Sequence, residues 1–150
     1  MEPLKLIALD KDDLEVVSTH LQDALLSVAD IVWLPSSKRL VLALSRFDWE
    51  SVACGNPQYQ RRRTALRFER VNSFKAQKIK PADKAVMLNL LAVEFSETDS
   101  PAGSVTLTFS GGAMLKLEVE CLEAELSDLG PAWTTTLVPG HPEDTAQSSG

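Results

Sequence analysis

The stretch Ser104-Val105-Thr106-Leu107-Thr108-Phe109-Ser110-Gly111-Gly112-Ala113-Met114-Leu115-Lys116-Leu117-Glu118-Val119-Glu120-Cys121-Leu122 reads as two strands joined by a tight turn. Strand side chains alternate between faces, so Val105, Leu107 and Phe109 share one face of the first strand. Leu115, Leu117, Val119 and Cys121 share one face of the second. A two-residue Gly111-Gly112 turn would pair Phe109 with Met114 and Leu107 with Lys116, setting apolar groups beside charge. A three-residue loop, Ser110-Gly111-Gly112 with Gly112 left-handed in a bulge, pairs Leu107 with Leu115 and Val105 with Leu117, core against core. The second register is predicted, and with it an antiparallel sheet.

Working outward, the same strand signature recurs in Asp30–Leu34, Arg39–Phe47, Arg62–Phe74 and Val86–Phe95, rich in β-branched, aromatic and leucine residues. Pro35-Ser36-Ser37-Lys38 marks a turn, Gly55-Asn56-Pro57 a loop and Thr98–Gly103 a connection, and short links imply antiparallel neighbours. Val86–Phe95 is apolar on both faces apart from Asn89 and Glu94, which predicts a central strand covered on both sides. The N-terminal stretch differs. After a short strand at Leu4–Leu9, Asp10 is placed as a helix N-cap, with Asp13 three residues on and Leu9 and Leu14 spaced for a hydrophobic staple. Leu14, Val17, Leu21, Leu25 and Val28 then repeat at helical steps and predict one apolar stripe.

The predicted fold is α+β: one N-terminal helix packed on a mainly antiparallel six- to seven-stranded sheet or partly closed roll. A pleckstrin-homology-like barrel is the alternative, weakened by the missing C-terminal helix. At 150 residues the chain fits one domain, expected over residues 1–139, with a disordered tail at 140–150 ending a stretch after Trp133 that is rich in Thr, Pro, Ser and Gly. Two cysteines, no basic-then-apolar leader and no apolar run beyond Leu40–Leu44 lead to the expectation of a reduced cytoplasmic protein without a membrane span.

Charge is unevenly spread. Arg61, Arg62, Arg63, Arg67, Arg70, Lys75, Lys78, Lys80 and Lys84 stand against only Glu69 and Asp83, a local excess of +7 in a chain whose net charge is −6. An acidic protein with one cationic segment either presents it to an anion or neutralises its own acidic surface. Glu118, Glu120, Glu123 and Glu125 are the obvious internal partners, and a solvated acidic face is their simpler reading. Arginine pairs bidentately with carboxylate or phosphate, so the candidate binding residues are Arg61, Arg62, Arg63 and Arg67. Arg46 and Trp49, in the Arg46-Phe47-Asp48-Trp49 corner, complete the set as an interface anchor.

Other motifs carry less. His20 and His141 have no ligand-like spacing to each other or to Cys54 and Cys121, so no metal and no cofactor is expected. Cys121 continues an inward row and reads as a buried thiol, while Cys54 becomes a nucleophile only if the fold brings His20 to it. Asp10, Asp12 and Asp13 are explained by helix capping, because Leu14 and Glu15 stand where a calcium loop needs other residues. Gly111-Gly112 lacks the lysine and the following helix of a phosphate loop. Nucleic acid is disfavoured, since the basic segment lacks a Gly-aromatic stacking pattern.

Several segments together resemble a bacterial family known only as domain of unknown function number 2948. They are Leu6-Ile7-Ala8-Leu9-Asp10, Leu21-Gln22-Asp23-Ala24, Arg46-Phe47-Asp48-Trp49, Arg61 to Phe68, Asn89 to Val93, Leu117 to Cys121 and Leu129-Gly130-Pro131-Ala132-Trp133. The resemblance spans Leu4 to about Pro142. It implies a bacterial cytosolic protein and brings no reaction, ligand or catalytic residue with it. Three expectations therefore stand. The first is a non-catalytic binding or accessory module whose arginine-rich strand meets an acidic protein or small anion. The second is a small enzyme with a Cys54/His20 site acting on an anionic substrate. The third is a self-associating protein, paired as a homodimer through its basic and acidic strands.

Overall fold

The computed structural model describes residues 4–47, 59–129 and 133–135. Trp49, Cys54, His141 and the expected tail lie outside the described residues. The described chain runs β1 (Lys5–Ala8), α1 (Lys11–His20), β2 (Ala24–Ser27), β3 (Ile31–Leu34), β4 (Arg39–Phe47), β5 (Tyr59–Phe68) and β6 (Val71–Gln77). It continues through β7 (Met87–Glu97), β8 (Gly103–Phe109), β9 (Met114–Val119), β10 (Ala124–Asp128) and β11 (Trp133–Thr135). The class is α+β, one helix with a mainly antiparallel sheet, as the residue pattern predicts.

The hairpin that anchors the reading has the expected register: Leu107 faces Leu115 and Val105 faces Leu117. Its loop is Ser110–Gly112, but Gly111 (φ 74°) and Gly112 (φ 80°) are both left-handed, where only Gly112 was expected to be. Glycine alone adopts this pair of angles without a Cβ penalty.

The strand count is larger than six to seven: among the described residues eleven strands form one sheet, ordered β1-β10-β5-β4-β2-β7-β8-β9-β6, with β11 on β5 and β3 on β4. The excess has local causes. Arg62–Phe74 is not one strand but two, broken at Glu69-Arg70, where Arg70 takes φ 55°. The apolar stripe from Leu14 to Val28 is not one helix either. Asp23 at φ 63° turns the chain, its N–H bonds Leu90 O, and Ala24 to Leu26 enter the sheet as β2 between β4 and β7. A short buried strand and a helix continuation carry the same apolar spacing, so only the neighbours separate them.

Order along the sheet dictates its shape. β5 and β6 stand six places apart in the ladder yet are joined by only Glu69 and Arg70. Six strand spacings span about 29 Å in a flat sheet, far beyond the reach of two residues, so the sheet must curl until its ends approach. Contacts across the seam agree: Val71 N–H bonds Lys38 O at 2.9 Å, and Trp33 of β3 meets Phe74 of β6 edge to face at 5.3 Å. The ladder still ends at β1 and at β6, so the result is a curled open sheet and not a closed barrel. Together with the strand number, and with α1 the one α-helix among the described residues, this departs from the pleckstrin-homology-like alternative.

Inside the curl lie Leu40, Leu42, Leu44, Leu66, Phe68, Leu88, Leu90, Val105, Leu107, Phe109, Leu115 and Leu117, joined by Leu14, Val17 and Leu21 of α1. Asp10 caps the helix, accepting from the Asp13 N–H at 2.8 Å, while the Asp13 carboxylate accepts from the Leu9 N–H at 3.1 Å. The staple does not form, because Leu9 points to solvent. β7 is central, and α1 packs on it, with Ser18 Oγ accepting from the Val93 N–H at 2.9 Å. Its outer face is not covered, since Met87 and Leu91 are exposed. Cys121 follows β9 instead of extending it and is half-buried, not a core thiol. No helix among the described residues is long and apolar enough to cross a membrane.

Candidate functional site

The register of β4 on β5 sets Arg46 opposite Arg62, on the same strand parity as Leu44, Thr64 and Leu66. That parity faces the core, and both guanidinium groups are buried: Arg46 is 0% and Arg62 4% exposed. Burying cations requires a counter-charge. Asp128 supplies it, because β10 pairs with β5 and places Asp128 opposite Thr64. Arg46 Nε and Nη2 donate to the two Asp128 oxygens at 2.9 and 2.8 Å, a bidentate pair. Thr64 Oγ1 and the Leu4 N–H each donate at 2.7 Å, and Arg62 Nε stands 3.9 Å away. Burial pushes the Asp128 carboxyl upward, but the bonds from Arg46, Leu4 and Thr64 outweigh it and hold the pKa below the ordinary aspartate value.

On the other parity the arginines also meet the chain's own groups. Arg61 is 6% exposed and donates from Nη1 to Ser45 O at 3.1 Å. Arg63 reaches Asp30 at 3.4 Å, and Arg67 pairs with Glu69 at 2.8 Å and with Glu125. Arg39 shares Glu69, and Arg70 lies between Glu123 at 3.3 Å and Glu120 at 3.9 Å. Lys38 binds Glu120 at 2.8 Å, and the hydrogen bond and charge of Lys38 lower the Glu120 pKa. Glu125 is lowered by its hydrogen bond from Lys5 and by the charge of Arg67, against the opposing effect of burial. The outward display expected of Arg46, Arg61 and Arg62 is therefore replaced by burial, and Arg63 and Arg67 carry intramolecular carboxylates. Of the acidic run, Glu125 meets Arg67, Glu120 and Glu123 meet Arg70, and Glu118 accepts from Ser104 Oγ.

The second half of the cationic segment differs. Lys75, Lys78, Lys80 and Lys84, with Lys116 from β9, are exposed. Among the described residues none of these five has an ion pair or a hydrogen bond from its ammonium group. Lys75 lies directly opposite Lys116, an unfavourable like-charge pairing. Their strand, β6, ends the ladder, so half of its backbone donors and acceptors face away from β9. It carries a register shift at Asn72 and ends at Gln77, just before Lys78, whose φ of 56° is uncommon for a side chain of this kind. Just past that turn, Lys78, Ile79, Lys80 and Asp83 with Val28, Val86 and Leu88 line a hollow of about 270 Å³. Lys78, Lys80 and Lys84 lay within the basic stretch of the sequence but gave no separate signal, and Lys116 is added by register alone.

A larger groove, about 870 Å³, runs between the start of α1 and the β7–β8 hairpin, with Asp10, Asp12, Glu15, Glu94 and Glu97 on its walls beside Cys121. Among the described residues no three His, Cys, Asp or Glu side chains are arranged to hold a metal ion. His20 ends α1, half-buried, while Cys54 lies outside the described residues, so the thiol–imidazole pair has no described geometry.

Residues 4–141 match the family described as Protein of unknown function (DUF2948). The chain belongs to that family. No curated protein and no solved structure matched it. The family assignment agrees with the segments that carried the resemblance and leaves the assignment of function to the surface chemistry.

Proposed function

We propose that this DUF2948 protein is a non-catalytic binding module of the cytoplasm that offers a cationic edge to an acidic protein segment. One contrast carries the reading. Arg39, Arg46, Arg62, Arg63, Arg67 and Arg70 all stand within reach of intramolecular carboxylates, whereas Lys75, Lys78, Lys80, Lys84 and Lys116 have none. Apart from Lys11 at the start of α1, the charge that remains available to a foreign anion is thus the lysine cluster, with the half-exposed Arg63 and Arg67 upstream of it. An acidic peptide is favoured over nucleic acid because Phe74, the aromatic residue of β6, is packed on Trp33 and not free to stack on a base.

Fluorescence anisotropy with a labelled octaglutamate tests the reading. Binding is expected at low salt, weakening as salt screens the lysines, and lost in the Lys75→Glu, Lys80→Glu, Lys84→Glu variant. Equal binding by that variant overturns the proposal. Light scattering at two salt concentrations separates it from self-association, which would bring the lysine edge of one copy to the acidic groove of another.

A further inference from the structure

We propose that the acidic segment adds to β6 as an extended strand and seats one apolar side chain in the hollow formed by Val28, Ile79, Val86 and Leu88. The inference rests on the cationic-edge reading and specifies the ligand class: a peptide with carboxylates flanking a single aliphatic anchor. Three observations converge. β6 is the last strand of the ladder, so beyond Val71, whose N–H is taken by Lys38 O, its outward backbone groups form a template for main-chain pairing. The hollow opens where the chain leaves β6, with Lys78 following Gln77 directly and with Lys78 and Lys80 outnumbering Asp83 among its charged lining. Its floor is apolar, Leu88 and Val28 being buried core residues, while Val86 at the mouth is 48% exposed.

Size and charge narrow the occupant. At about 270 Å³ the hollow lies below the usual range for small-molecule sites, about 300–1,000 Å³, and suits one side chain better than a free ligand. A second copy docking through the same strand would bring Lys75, Lys78 and Lys80 of both copies together, a like-charge cost that disfavours edge-to-edge pairing of two β6 strands. A segment bearing glutamates at alternate positions satisfies both the lysines and the period of an added strand.

The test compares labelled octaglutamate, the same peptide with one central leucine, and the leucine peptide N-methylated at alternate backbone nitrogens. On the wild-type protein, leucine is expected to tighten binding about tenfold, the order of one buried leucyl side chain. N-methylation is expected to abolish binding. Val86→Ser, at a half-exposed position, and independently Ile79→Ser, neither of which changes the charge, are expected to remove the leucine advantage while leaving octaglutamate binding unchanged. If octaglutamate binds and leucine adds nothing, or if the advantage survives in both variants, the hollow is not the anchor site although the cationic edge stands. Undiminished binding of the N-methylated peptide overturns strand addition. Binding of neither unmodified peptide overturns both readings, and a single-stranded oligonucleotide that binds more tightly than either identifies a nucleic-acid surface instead.

Discussion

Two halves of one basic stretch have opposite fates. From Arg61 to Arg70 the guanidinium groups are drawn into the protein's own electrostatics, Arg62 into the core beside Arg46 and Asp128, Arg61 onto Ser45, and the others onto Asp30, Glu69, Glu123 and Glu125. From Lys75 to Lys84 the ammonium groups stay exposed and unpaired. The difference follows from sheet neighbours. β5 lies beside β10, which brings carboxylates to its arginines, whereas β6 has β9 on one side only, where Lys116 faces Lys75. A run of like charges in a sequence is thus two different objects, one that neutralises the fold and one that remains for a partner.

The sharpest way to break this comparison is Asp128→Asn. It leaves Arg46 buried without its bidentate carboxylate and is expected to cost about 3–5 kcal/mol, read as a lowered urea midpoint. A change below about 0.5 kcal/mol, the size of an ordinary surface substitution, would show that the arginine half is not structural.

Acid titration asks the same question without mutation. The Asp128 pKa is lowered in the folded state, so its contribution is present above the unfolded value near about 3.9 and is lost as pH falls through the folded value. Urea midpoints are therefore expected to decline as pH falls below about 4, with a shallower decline in Asp128→Asn.

Smaller effects belong to the exposed pairs. Arg70→Ala, which removes contacts to Glu120 and Glu123, is expected to cost at most about 1 kcal/mol and less in 1 M salt. Smallest of all is Lys116→Glu. Converting the Lys75–Lys116 like-charge pair to an opposite pair is expected to raise stability by a few tenths of a kcal/mol while weakening capture of octaglutamate. Loss of stability there would place Lys116 in the structural half.

Much of the local structure was legible because its causes are local. The Asp10 cap needs only the nearby Asp13 N–H, and the β8–β9 register follows from matching Leu107 to Leu115 over a loop short enough to enumerate. The helix stripe was overread. Leu25 and Val28 keep helical spacing from Leu21, and nothing nearby in sequence announces that β4 and β7 flank β2. At the candidate site the sequence located the basic stretch and named the glutamates that meet part of it. It missed Asp128, which lies 82 positions from Arg46 and carries no motif of its own. Arg62 shares strand parity with Leu66 and Phe68, a signal in the residue order that this arginine turns inward.

The residue order by itself determined the α+β class, the helix start, the antiparallel hairpin and the presence of one cationic segment, because alternation, capping and turn length act over a few residues. Which cations are spent inside and which are left outside was decided only when the sheet curled. That choice depends on strands distant in sequence, and the cost of burying an arginine is met only where the fold brings a carboxylate to it.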